Sequence, residues 1–387
     1  MREDSSKETG NYIAEYYGYR VYPKVASGHS ALSAQEQKHC PFLSLATGEQ
    51  KTCTKREEAR GVCTVSTVVD TERHDWLVCP SRALDPNFME QAARRLFRYP
   101  EEATLHFIAA PKLSSPGIRE QISQAIKSGD NVLVYFQEKL GGEIGISKTP
   151  FSPEFSFDWT LVELTSIEPE LSLGRFGILE LQTMDFHGSY KHAVELLEEE
   201  IKTNASEFHK KLQGAAGKEI LSKKIEGPNL SNVFKRTFYQ MAYKFQLAGH
   251  DQWVGGGFAV PYSVWNSWAR HLANPRLHQN LDGTYFLADS NSEGPPPPPK
   301  GNSWIFVFTL EKSGDKEEEI TKGGIKLWRT IKTDAEILTR LALQESPKRA
   351  LGGDGSISSV TKNARKRIGR FWPESRRKNK YNNPGLF

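Results

Sequence analysis

The chain has 387 residues, is 37% hydrophobic and 11% aromatic, and carries 51 Lys+Arg against 47 Asp+Glu for a net charge of +4. At roughly 150 residues per domain this length suggests two or three domains or one large one. The apolar share is enough for a core, which excludes wholesale disorder. No apolar run reaches the roughly 18 residues of a membrane helix, and the polar start Met1-Arg2-Glu3-Asp4 is no secretory signal. A soluble cytoplasmic protein with no membrane partner is the expectation.

In chain order, Tyr12, Tyr16, Tyr17, Tyr19 and Tyr22 crowd residues 11–23, which read as a short packed helix leading into a strand. Cys40, Cys53, Cys63 and Cys79 follow, and no cysteine occurs elsewhere. Disulfides are disfavoured without secretion. Four clustered thiolates suit a tetrahedral soft-ligand site for zinc or iron. No CxxC knuckle joins them, so four ordinary buried thiols are the alternative. Val-rich pieces such as 65–69 suggest short strands in this subdomain. Asp85-Pro86 opens a helix, Asp as N-cap and Pro at the first helical position. Met89, Ala92, Ala93, Leu96 and Phe97 give it an apolar face.

A second helix runs through Ile118, Ile122, Ala125 and Ile126 and closes at Gly129. Strands are expected at 132–136, 155–164 and 175–183, and a long helix at 189–212 with Ser189 as its N-cap. Residues 229–249 form the most legible helix. Val233, Phe234, Phe238, Met241, Ala242 and Phe245 share one face, and Lys235, Arg236, Tyr239, Gln240 and Tyr243 the other. Residues 256–261 read as a strand, and so do 285–287 and 304–308, which flank an exposed loop with the proline run 295–299. A last helix near 333–345 precedes residues 362–380, where nine basic residues face Glu374 alone, a local charge of +8. Such a stretch is either a polyanion-binding tail or a solvated end.

The chemistry concentrates in the middle of the chain. Glu180 and Gln182 stand two apart on the third strand and so share a face. Asp158 sits on the strand before, expected to pair antiparallel with it, and Glu143 lies just ahead. Hard oxygen ligands of this kind hold magnesium and leave positions for phosphate and water. Such an ion lowers the pKa of bound water and neutralises charge on a scissile phosphate. A Glu-x-Gln on a strand is also an ordinary wet face, and Glu143 with Glu180 could be a glycosidase pair. Phosphate loops, HExxH and GxSxG are absent. His187 and His192, five apart, do not share a helix face.

Longer blocks carry a resemblance. Phe136-Gln137-Glu138-Lys139-Leu140-Gly141-Gly142-Glu143, Pro153-Glu154-Phe155-Ser156-Phe157-Asp158-Trp159-Thr160 and the stretch from Leu179-Glu180-Leu181-Gln182 to Lys191 resemble the NotI-like type II restriction endonucleases. Residues 226–236 and Arg60-Gly61-Val62-Cys63 do so too, and the likeness runs from Asn11 to Phe387. It implies an α/β fold: a PD-(D/E)xK restriction-endonuclease-like core, a mixed sheet flanked by helices, with an N-terminal four-cysteine metal-binding subdomain. The corresponding division is 1–110 for the cysteine region, 111–290 for the catalytic core and 291–387 for a C-terminal strand and helix region with the basic tail.

The resemblance further implies that Asp158 and Glu180 bind catalytic magnesium and that Glu143 is a fourth active-site acid. Gln182 stands where most of the superfamily has Lys, which leaves more of the water activation to magnesium. Cys40, Cys53, Cys63 and Cys79 would hold iron, or zinc, as a structural element. The implied function is a homodimeric enzyme of a prokaryotic restriction system. It would cut double-stranded DNA at GCGGCCGC to leave 5′ overhangs, with a cognate DNA methyltransferase as functional partner. Arg175, Lys235 and Arg236 are candidates for reading guanines, with phosphate contact as the alternative. A non-cleaving DNA-binding protein stabilised by its metal is the competing class.

Overall fold

In a computed structural model, residues 9–167, 170–249, 251–288, 299–310, 325–352 and 354–372 are described. The prolines at 295–298, the acidic residues 317–319, and Glu374, Arg376, Arg377, Lys378 and Lys380 lie outside them.

The tyrosine-rich start differs from the helix expected of it. It forms a hairpin of strands β1 (Tyr12–Tyr16) and β2 (Tyr19–Arg20). Its turn passes through Tyr17 and Gly18, both at positive φ, +50° and +85°, a conformation that ends any helix and suits glycine. Aromatic side chains pack well on a pleated surface, and Tyr12 stacks on Tyr22. With β3 (Val62–Val69) and β4 (Glu72–Leu77) the hairpin completes a four-stranded sheet in the order β2-β1-β3-β4.

The main body is a mixed sheet of nine strands. Its members are β5 (Leu105–Ala109), β6 (Asn131–Gln137), β9 (Trp159–Ser166), β10 (Ser172–Leu181), β11 (Trp253–Pro261), β12 (Arg276–Gln279), β13 (Tyr285–Ala288), β14 (Ser303–Leu310) and β15 (Ile325–Thr333). Across the sheet the order is β12-β13-β15-β14-β11-β10-β9-β6-β5. It thus draws strands from all three expected segments of the chain. A separate ribbon pairs β7 (Ile144–Ile146) with β8 (Phe155–Phe157). Residues 155–164, expected as one strand, are therefore two, and Asp158 is the break between them.

Alternation along the strands sorts the core into two faces. Leu179 and Leu181 of β10, Ala259 of β11 and Phe306 of β14 join the cluster of the Pro86–Phe97 helix. Phe258, Val260, Ile305 and Val307 point to the opposite face, covered by the Leu230–Lys244 and Tyr262–His271 helices. Glu180 pairs with Phe258 in the register of β10 and β11, so Glu180 faces the Leu230–Lys244 helix. The Pro86–Phe97 helix starts as its sequence says, Asp85 accepting from the Phe88 amide at 3.0 Å. Residues 189–212 instead give two helices, Lys191–Asn204 and Phe208–Gln213, and the break lets Phe208 and Leu212 turn into the core. No helix among the described residues is long and apolar enough to cross a membrane.

Candidate functional site

Asp158 and Glu180 meet at the end of β10, tied by reciprocal bonds through the backbone. The Asp158 amide donates to Glu180 Oε1 at 3.2 Å, and the Leu181 amide donates to Asp158 Oδ2 at 2.9 Å. The antiparallel pairing expected of their strands is present, with Leu179 opposite Trp159. The break at position 158 turns the aspartate toward Glu180. Gln182 follows, its amide nitrogen donating to the Thr183 carbonyl and its Oε1 accepting from the Thr237 hydroxyl. Glu143, ahead of β7, is exposed yet close enough to act electrostatically on Asp158.

Sequence reasoning missed Lys244. It is buried, and its Nζ lies 2.5 Å from Glu180 Oε2 and donates to the Ser156 carbonyl at 2.8 Å. Thr237 and Lys244 are two helical turns apart and so lie on one side of the helix. They match the two-residue step from Gln182 to Glu180. A signal was available: Val233, Thr237, Met241 and Lys244 are buried in turn along one stripe. A Thr and a Lys in an otherwise apolar stripe mark the place where a helix covers polar groups.

Burial pushes the Glu180 carboxyl up to about 8, and the Asp158 charge adds to the rise. Together they outweigh the attraction of Lys244. Asp158 is also raised by burial and, more weakly, by Glu143; the Leu181 amide and Lys244 oppose this. Two acids held together against their mutual repulsion characterise sites that exchange protons or bind cations.

The proposed base readers are placed differently. Arg175 makes a two-point ion pair with Glu163, Nε to Oε2 at 2.9 Å and Nη2 to Oε1 at 2.8 Å, and lies over the Phe97 and Tyr99 rings. Arg236 pairs with Asp185 at 2.9 Å, and both it and Lys235 are exposed. Lys362, Arg365, Lys366, Arg367 and Arg370 lie on the Asp354–Phe371 helix and are exposed.

The four cysteines gather between the smaller sheet and the loops beside it. Cys40 precedes the Pro41–Thr47 helix, Cys63 lies on β3, Cys79 follows β4, and Cys53 sits in the loop between. Cys40, Cys63 and Cys79 are buried, and none of the four forms a disulfide. Cys40 feels the charges of Cys79 and Cys53, and Cys63 those of Cys79 and Cys40, so the four thiols form one cluster. Burial pushes Cys40 up to about 12. A hydrogen bond from Cys63 lowers the Cys79 thiol, helped by Lys55, and raises Cys63 in turn. A buried ion pair of Glu15 with Arg82 at 3.1 Å ties β1 to the turn after Cys79. Burial alone would raise the Glu15 carboxyl, but Arg82 and Arg20 hold it below its usual range.

Among the described residues, no group of three or more His, Cys, Asp or Glu side chains is arranged to hold a metal ion. At the acidic site, Asp158 and Glu180 are the carboxylates in close contact among the described residues. In the cysteine cluster the thiols bond to one another and to backbone, as in Cys63 Sγ to the Gly61 carbonyl at 3.4 Å. An apolar cleft of about 1200 Å³ between the Pro116–Lys127 helix and the sheet includes Phe157, Thr160 and Trp253, but none of Asp158, Glu180, Gln182 or Lys244 lines it. Compared with known proteins, the chain matches no family model, and no curated protein matches it significantly.

Proposed function

We propose that the chain is a magnesium-dependent type II restriction endonuclease of the NotI-like kind, hydrolysing phosphodiester bonds in duplex DNA. The observation that carries this reading is the pairing of buried Glu180 with partly buried Asp158 at the end of a central strand, with reciprocal backbone bonds and a buried cation beside it. Magnesium is commonly bound by one or two carboxylates together with substrate phosphate and water, and does not need a cage made by the protein. The two carboxylates fit that chemistry.

In this reading Asp158 and Glu180 hold the ion. When bound it neutralises charge on the scissile phosphate and makes bound water more acidic. Glu143 adds a further acid on the exposed side. Gln182, engaged by Thr237, fixes the helix against the sheet. The PD-(D/E)xK core then corresponds to the nine-stranded sheet with its helices. A palindromic target such as GCGGCCGC calls for a homodimer, because a two-fold axis uses each contact twice. A cognate methyltransferase would protect the same site in a prokaryotic cytoplasm.

The cysteine cluster is the proposed structural metal centre, holding iron or zinc by Cys40, Cys53, Cys63 and Cys79. Four soft donors in one cluster, three of them buried, match the donor chemistry of such an ion. Binding requires the thiols to lose their protons and their bonds to one another.

The test is incubation with magnesium of two plasmids, one with and one without GCGGCCGC. The expected result is linearisation of the first alone, with four-base 5′ overhangs on sequencing the ends. Specific binding without cleavage would instead favour the non-cleaving DNA-binding protein. The absence of both binding and cleavage of that plasmid defeats the assigned target.

A further inference from the structure

The Leu230–Lys244 helix brings a positive charge to a site whose sequence pattern contains none. Lys244 is 3% exposed. Its ammonium meets Glu180 Oε2 and the Ser156 carbonyl, and the Phe157 ring centre lies 5.3 Å from Nζ. Its neighbours along the buried stripe, Val233, Met241 and Phe245, are apolar. Taking a lysine out of water is costly unless it is paired, and a fourth apolar residue would seal the helix to the sheet more cheaply.

The choice of acceptor is informative. One oxygen of Glu180 is already engaged by the Asp158 amide. Lys244 takes the other, so both oxygens of this carboxylate are occupied and the carboxylate is fixed beside Asp158. A divalent cation bound between the two acids needs an oxygen from each. The oxygen Lys244 holds is the one not committed to the backbone.

We propose that Lys244 is a positioning residue that stands in for a divalent cation: it keeps Glu180 beside Asp158 while the site is metal-free and gives up Oε2 when the cation binds. This rests on the reading of Asp158 and Glu180 as metal ligands. One positive charge offsets one of two carboxylates, whereas a divalent cation offsets both. The exchange is therefore favoured where two acids meet, and the Ser156 carbonyl remains as an acceptor for the displaced ammonium.

The test is calcium titration by calorimetry, with no DNA and no turnover. Lys244→Met removes both the competitor and its repulsion of the incoming ion, so calcium should bind roughly tenfold more tightly than to the wild type. Lys244→Arg keeps the charge and should stay within about twofold of the wild type. A lysine that only supports the fold predicts the reverse, weaker binding in the Met variant. Unchanged or weaker binding overturns the proposal.

Should Lys244→Met fail to fold, a crystal structure of the wild-type protein with calcium decides. Nζ moved out of hydrogen-bond distance of Oε2 supports the exchange, and an intact pair beside bound calcium overturns it. Asp158→Asn separates the two layers of argument. If wild type and Asp158→Asn both fail to bind calcium, the metal-site reading falls and the role of Lys244 with it. If the wild type binds, Asp158→Asn does not, and Lys244→Met is no tighter, the role of Lys244 falls alone.

Discussion

The acidic site and the cysteine cluster use burial for opposite ends. Both contain ionisable groups raised by desolvation, Glu180 to about 8 and Cys40 to about 12. At the acidic site the offsetting charge, Lys244, comes from a distant helix. Glu143 stays exposed beside it. In the cluster the thiols offset one another, Cys63 donating to Cys79, and Cys40, Cys63 and Cys79 all lie in the core. Few protein ligands leave room for substrate and water. Four leave none, which suits a centre that serves folding. On the proposed reading, the contrast separates a place for chemistry from a place for stability.

The sharpest way to break that contrast is at the carboxylates. On the proposed reading Asp158→Ala and Glu180→Ala should each lower cleavage by about a thousandfold or more, since each would remove an oxygen ligand that transition-state charge depends on. Specific DNA binding, followed by gel shift in calcium, should persist. Both variants keeping more than about a tenth of the wild-type rate would remove these residues from the chemistry.

The cysteines should answer in stability. Cys63→Ser is expected to cost several kcal/mol and soluble yield, because metal binding and folding are coupled. Elemental analysis should find about one iron or zinc per chain, as four thiolate ligands require. A metal-free protein, or a serine variant that folds normally and fails only in the chemical step, contradicts the division between the two regions.

The acidic site should also set a pH dependence. The folded state raises Glu180 from 4.5 to about 8, so it binds the proton more tightly than the unfolded chain does. That contribution to stability is complete below the unfolded value. It is lost as pH rises between the two values, at up to about 1.4 kcal/mol per pH unit. Denaturant titrations of the metal-free protein should show stability falling over that range, and Glu180→Gln should flatten the fall. An equal slope in both proteins would place the titrating group elsewhere.

The smallest effect belongs to the basic helix. Arg365, Lys366 and Arg367 are exposed on the Asp354–Phe371 helix, and on the proposed reading they would contact phosphates without reading bases. Changing all three to Gln should weaken binding to every sequence alike. It should also flatten the salt dependence by about 0.9 in log–log slope per lost contact. An unchanged slope in the folded variant makes this helix a solvated end.

Much of the local structure around these residues was legible before the fold. The strand patterns at 132–136 and 175–183, the Asp85 cap and the pairing of Asp158 with Glu180 across neighbouring strands all follow from local periodicity and cap chemistry. The errors lie where local preference was ambiguous. A tyrosine-rich run fits a helix or a hairpin, and the positive φ of Tyr17 and Gly18 decided for the hairpin. Residues 155–164 alternate like one strand, yet Asp158 interrupts them so that its carboxylate reaches the Leu181 amide.

By itself the sequence determined the mixed α/β character, the clustering of the cysteines along the chain and the placing of two acids on neighbouring segments, since periodicity and residue chemistry are local properties. The tertiary structure alone decided what neutralises those acids. Whether Lys244 meets solvent or Glu180 depends on how the helix from Leu230 lies across β10, and that depends on long-range apolar packing of Val233, Met241 and Phe245 against Phe258 and its neighbours. No short window of sequence contains both partners, so no local pattern could pair them.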